Sequence, residues 1–191
     1  MDKENVAVVT LLQNSQEYQD VLNDFVQSAG QRNIVKIERI QNRMLHQQYE
    51  AKLKLLEKQN QPGCVNERKL WHGTANEAVA SINTYGFNRS YCGKNAVVYG
   101  DGVYFASNAN YSAGDTYSPR DFNNNKRVYR CRVLTGEFCR GTKGTKVPPN
   151  KPGAGSAHIL FDSVVDNPTN PGIFVIFNDT QAYPEYLITF Q

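Results

Sequence analysis

Apolar residues recur at helical spacing in the first third of the chain and in short alternating runs after Gly63. Val6 to Val9 is a short run of strand type. Tyr18, Val21, Leu22 and Phe25 follow on one helical face, and Asn14 with Glu17 has the spacing of a capping box at that helix's start. Gly30 would end it. Ile34, Val35, Ile37 and Ile40 predict a second strand, after which Asn42 would cap a helix with the apolar stripe Leu45, Tyr49, Leu53 and Leu56. Gln61-Pro62-Gly63 stops that helix, and Lys52, Lys54 and Lys58 read as its solvated face.

Beyond Gly63 the pattern predicts short strands separated by Gly, Asn and Pro turns, with helices near Asn76 to Thr84 and Asn108 to Tyr117. The clearest strands are Val128 to Leu134, Gly172 to Asn178 and Glu185 to Phe190. Gly141 to Ser156 reads as a long surface loop, because the strands on either side must share a core. The expected class is α+β, a mixed or antiparallel β core of two packed sheets with flanking helices, in one domain over residues 1–191.

Composition narrows the function. With 191 residues, 40% hydrophobic and 11% aromatic, the chain can bury a substantial core. A net charge of +3 demands no nucleic-acid groove. Neither a signal pattern nor an apolar run of bilayer length is present, so an intracellular protein, cytoplasmic or nuclear and without a membrane partner, is expected. Cysteines 64, 92, 131 and 139 lack C-x-x-C spacing and His46, His72 and His158 are dispersed, so no metal site is expected. Gly153-Ala154-Gly155-Ser156 lacks the strand-to-helix setting of a dinucleotide fingerprint, which argues against a hydride-transfer enzyme.

Candidate chemistry lies in Leu70-Trp71-His72-Gly73-Thr74, in Gly100-Asp101-Gly102-Val103-Tyr104-Phe105-Ala106, in Tyr111-Ser112-Ala113-Gly114-Asp115-Thr116-Tyr117-Ser118, and in Ile173-Phe174-Val175-Ile176-Phe177. Gly86 to Ser90, Gly93-Lys94-Asn95-Ala96 and Tyr183 to Phe190 complete an ordered series. Together these segments resemble the catalytic domain of the poly(ADP-ribose) polymerase superfamily, in particular its mono-ADP-ribosylating, macrodomain-linked members. The resemblance runs from about Ile34 onward and implies the ADP-ribosyltransferase fold, with the chain as the C-terminal domain of a longer protein.

The resemblance implies NAD as a consumed substrate. His72 would bond a ribose hydroxyl, and the main chain of Gly73 would grip the nicotinamide carboxamide, with Thr74 beside it. Tyr104 and Tyr117 would flank the nicotinamide ring, since aromatic faces attract a flat cation. Ser112 would bind the carboxamide. Arg89 to Tyr99 resembles the loop over the NAD site. Gly141 to Ser156 with Asp162 to Val165 would border the acceptor, where Lys143, Lys146 and Lys151 either favour acidic peptides or are merely solvated.

The family's catalytic set is His-Tyr-Glu. Aligning the last two strands places Ile173 at its third position, while Glu185 becomes an ordinary residue after a turn. An alkyl group cannot act as a general base, so chain elongation would be lost. An acceptor that is already anionic needs no base. The implied activity is therefore transfer of a single ADP-ribose to Glu or Asp side chains of acceptor proteins, the chain itself included. Alternatives are a catalytically silent domain that binds NAD or a partner, and a transferase acting on nucleic-acid phosphate ends.

Overall fold

A computed structural model describes residues 5–91, 98–153 and 159–191. Cys92, His158, the Gly93 to Ala96 motif and most of the Gly153 to Ser156 segment lie outside them. Nine strands form one hydrogen-bonded ladder: β1 Val6–Thr10, β2 Ile34–Asn42, β3 Glu67–Thr74, β4 Val103–Ala106, β5 Lys126–Leu134, β6 Phe138–Arg140, β7 Ser163–Val165, β8 Ile173–Ile176 and β9 Ala182–Phe190. The helices are α1 Gln16–Ala29, α2 Arg43–Gln59, α3 Val79–Tyr85, entered through a 3-10 turn at Asn76–Ala78, and α4 Ala109–Ser112.

The spatial order is β1-β2-β9-β5-β3-β4-β8-β7-β6. All pairs are antiparallel except β6 with β7. β3 and β4 share a single pair, Trp71 with Ala106, so the ladder bends into two halves there. One core joins Leu70, Tyr129, Val133 and Leu187 of the first half to Val103, Phe105, Phe174 and Ile176 of the second. The two packed sheets of the α+β expectation are these two halves. A second core places α1 and α4 on the opposite face of the first half, around Trp71, Val128 and Ile188.

The helical stripes are buried as their spacing requires: Tyr18, Val21 and Phe25 on α1, and Leu45, Tyr49 and Leu56 on α2. Asn42 caps α2, its side chain accepting from Leu45 N–H at 3.0 Å. The start of α1 differs from the expected capping box. Ser15, not Asn14, is the cap, accepting from Tyr18 N–H at 3.2 Å. Glu17 turns away to Arg39, 2.7 Å distant, and receives the Tyr186 hydroxyl, because a tertiary charge partner outcompetes the local one. The helix expected from Asn108 to Tyr117 contracts to α4, since Ser112-Ala113-Gly114-Asp115 favours turns over helix. Among the described residues no helix is long and apolar enough to cross a membrane.

Candidate active site

The site lies where the two halves diverge. β3 pairs with β5 as far as Thr74, yet meets β4 at Trp71 alone. Past Trp71 the β4-facing main-chain edge of β3 therefore pairs with no strand among the described residues. His72 stands at this opening. Its Nδ1 lies 2.9 Å from the carbonyl oxygen of Tyr104, and a carbonyl can only accept, so Nδ1 carries the proton. The ring packs edge-on against Phe87 at 4.9 Å and tilted against Phe105 at 5.4 Å. Burial pushes its pKa below the ordinary 6.5, against a smaller opposing pull from the Tyr104 carbonyl. His72 is thus neutral, and Nε2 is an acceptor without a hydrogen-bond partner among the described residues.

Gly73 points to the opposite face, under α4. A Cβ there would fall on the carbonyl oxygen of Ser112 and 2.9 Å from Tyr117 Cβ, so only glycine leaves room. Ser112 is buried, and its hydroxyl donates to the Trp71 carbonyl at 3.0 Å. With its hydrogen committed, Oγ keeps lone pairs for a ligand N–H. Thr74 is 5% exposed, its hydroxyl 3.4 Å from the Ala75 carbonyl, so it presents almost no side-chain surface.

The ring stacked on Tyr117 is Tyr111, with centroids 4.8 Å apart at 26° and hydroxyl oxygens 2.6 Å apart. Tyr111 was not singled out by the sequence. The available signal was a second exposed aromatic one residue before Ser112. Burial raises its pKa first, then the Tyr117 hydroxyl, with smaller contributions from Tyr99 and Tyr104. The Tyr104 hydroxyl accepts from Tyr99 N–H and donates to the Gly100 carbonyl, each at 2.9 Å, and so anchors the end of the 89–99 segment. At its other end, the exposed Arg89 donates to the carbonyls of Lys146 and Phe177 at 3.1 and 3.3 Å.

Ile173 pairs with Ala106, and Val175 with Tyr104, so all four share one face of the β4–β8 pair. Ile173 is 7% exposed and packs with Ala106, Val164, Val175 and Phe177, with Tyr104 at the border. His72, Tyr104 and Ile173 are brought together by one main-chain contact and one strand pair. Glu185 is elsewhere. It lies 3.5 Å from Arg130, which also pairs with Asp24 of α1 at 3.1 Å, on the helical face of the first half. His72 and Tyr129 face the other way. Burial raises the Glu185 pKa, opposed first by Arg130. Of the loop lysines, Lys151 is held by Asn60 and Glu137 at 2.9 and 3.3 Å, while Lys143 and Lys146 are exposed.

NAD carries a flat pyridinium with a carboxamide, and ribose hydroxyls. The residues present fit such a molecule: an acceptor nitrogen on His72 and a strand edge at Gly73 that have no partner among the described residues, a hydroxyl at Ser112 and paired aromatic rings.

Comparison with known proteins identifies the family. The family model described as the Poly(ADP-ribose) polymerase catalytic domain matches residues 15–191. The human Protein mono-ADP-ribosyltransferase PARP14 is 50% identical over 191 residues, covering 100% of this chain and 10% of that protein. Mouse Protein mono-ADP-ribosyltransferase PARP10 is 44% identical over 184 residues, 94% of this chain and 19% of its own length. Human Protein mono-ADP-ribosyltransferase PARP12 is 40% identical over 182 residues, 95% of this chain and 25% of its own. The chain thus spans only a tenth to a quarter of these relatives. The family uses NAD as a substrate. With an α+β ladder, a His72–Tyr104 link and similarity over nearly its whole length, the chain belongs to the poly(ADP-ribose) polymerase catalytic domain family.

Proposed function

We propose that the chain is a mono-ADP-ribosyltransferase that moves one ADP-ribose from NAD to a Glu or Asp carboxylate of an acceptor protein. The carrying observation is the alkyl side chain of Ile173, buried beside Tyr104; taken as the family's third catalytic position, it offers no carboxylate where a polymerising member needs one. The acceptor oxygen bonds to the ribose carbon as the bond to nicotinamide nitrogen breaks. That electron pair stays on nicotinamide and neutralises the pyridinium, so neither a general acid nor a base is required.

This chain's residues supply orientation. Nε2 of neutral His72 accepts from a ribose hydroxyl. The Gly73 main chain and Ser112 hold the carboxamide, while Tyr104 and Tyr117 flank the ring and exclude water, with Tyr111 swinging off Tyr117 to admit it. Thr74, being buried, contributes through its main chain.

Intact mass spectrometry after incubation with NAD tests this, with His72→Ala alongside. The expected result is discrete additions of single ADP-ribose units that the variant lacks, and that hydroxylamine, which cleaves carboxylate esters, removes. Long polymer would overturn the role given to Ile173. No addition, with NAD binding still seen by calorimetry, would leave a silent binding domain.

A further inference from the structure

The turn that delivers Ile173 into β8 is held by a carboxylate. Asp166 directly follows β7, and the β7–β8 pairing of Val165 with Phe174 continues into it, its N–H donating to the Ile173 carbonyl at 3.3 Å. Oδ1 of Asp166 accepts from the N–H groups of Gly172 and Ile173, each at 3.0 Å. Ser107 grips the same turn from the β4 side. Its N–H donates to the Gly172 carbonyl at 2.9 Å, and its hydroxyl to the Pro171 carbonyl at 2.9 Å. Ser107 leads directly into Asn108, the cap of α4, so the third catalytic position is tied to the helix that carries Ser112.

Strand alternation puts Asp166 on the face of Val164, Val175 and Ile173, which is also the face of Tyr104. A carboxylate therefore stands one strand away from the position that lacks one. It has two conceivable uses, as a substitute base or as a clamp. The geometry favours the clamp, because Oδ1 already holds two N–H groups and the carboxylate cannot turn toward an acceptor without releasing both.

We propose that Asp166 is a positioning residue: it fixes the register and direction of Ile173, and through it the wall along which the acceptor approaches. Its kinetic consequence rests on the transferase reading above, whereas its structural consequence does not. An amide oxygen can accept the same two hydrogen bonds, so Asp166→Asn separates the two uses and Asp166→Ala removes both.

The experiment compares these two variants and Ser107→Ala in three readouts: amide hydrogen exchange at Gly172 and Ile173, steady-state transfer from NAD, and binding of benzamide as a nicotinamide-like probe. Asp166→Asn should keep amide protection and at least about a third of kcat. In Asp166→Ala, exchange should quicken and kcat fall by about tenfold, with KM for NAD and the benzamide Kd within about twofold. Ser107→Ala should show the same split more weakly, and it serves if Asp166→Ala folds poorly. Equal loss of kcat in the Asn and Ala variants, with protection intact in Asn, would make the carboxylate itself chemical and overturn the proposal. So would unchanged exchange in Asp166→Ala. A wild-type chain without transfer would instead sink the transferase reading, and exchange would still decide the clamp.

Discussion

One added methyl group at Gly73 probes the site's closest packing. In Gly73→Ala the new Cβ points at the Ser112 carbonyl and the Tyr117 backbone side, neither of which is the free end of a flexible side chain. α4 cannot simply lift away, because Ala109 and Ala113 are buried against the Trp71 core and Ala109 N–H donates to Ser28 Oγ at 2.9 Å. Restoring normal contact requires a shift of about 1 Å, and overpacking of this kind costs about 1–3 kcal/mol. Stretching the Ser112–Trp71 hydrogen bond, which closes a buried carbonyl, adds about 1 kcal/mol. A total of about 3 kcal/mol lowers Tm by roughly 6–12 °C for a domain of this size. Benzamide affinity should fall at least about 100-fold, since the groups placed to hold its carboxamide are the ones displaced. Differential scanning calorimetry and titration calorimetry read the two effects. A variant that melts like wild type and binds benzamide within threefold would refute the packing argument, and with it the assignment of Gly73 and Ser112 to the carboxamide.

Three further outcomes are expected. Glu185→Gln should leave the transfer rate within about twofold and cost less than about 1 kcal/mol, because Arg130 keeps Asp24 at 3.1 Å; a tenfold loss of kcat would return Glu185 to the site. Tyr104→Phe leaves the Tyr99 N–H and Gly100 carbonyl without their partner, so stability should drop by about 1–3 kcal/mol and KM for NAD rise, as thermal melts and initial rates would show. His72 has a folded-state pKa below its ordinary 6.5, so the unfolded chain takes up a proton that the folded chain resists. Its contribution to stability is therefore complete above about pH 6.5 and lost as pH falls below it. Urea midpoints between about pH 5 and 7 should slope more steeply for wild type than for His72→Gln, and identical slopes would show that His72 is not held neutral.

The candidate site was open to reading from the sequence because its chemistry clusters in short segments. His72 and Gly73 are adjacent, and Tyr104 lies in a glycine-flanked strand that pairs with Ile173's strand in the register needed to bring them to one face. Ile173 and Glu185 lie on different strands, the one packed beside Tyr104 and the other paired with Arg130. Tyr111 was harder to see, because stacking depends on the turns after α4, which bring residues six apart into parallel contact. Asp166 was invisible: an aspartate in a Pro- and Asn-rich turn reads as a solvated loop residue until the two N–H groups it accepts are located.

What the sequence alone determined was local. The α1 and α2 stripes, the Asn42 cap and the strand runs follow from periodicity and side-chain chemistry within a few residues. The tertiary structure decided whatever depends on which distant segments compete for one partner. Ser15 rather than Asn14 caps α1, with Glu17 drawn off to Arg39 and Tyr186. The last strand, β9, inserts between β2 and β5, and a single β3–β4 pair opens the ladder at His72. Periodicity specifies which face of a strand is apolar, but strand order and close approach are set by long-range burial and backbone pairing, for which a single strand carries no information.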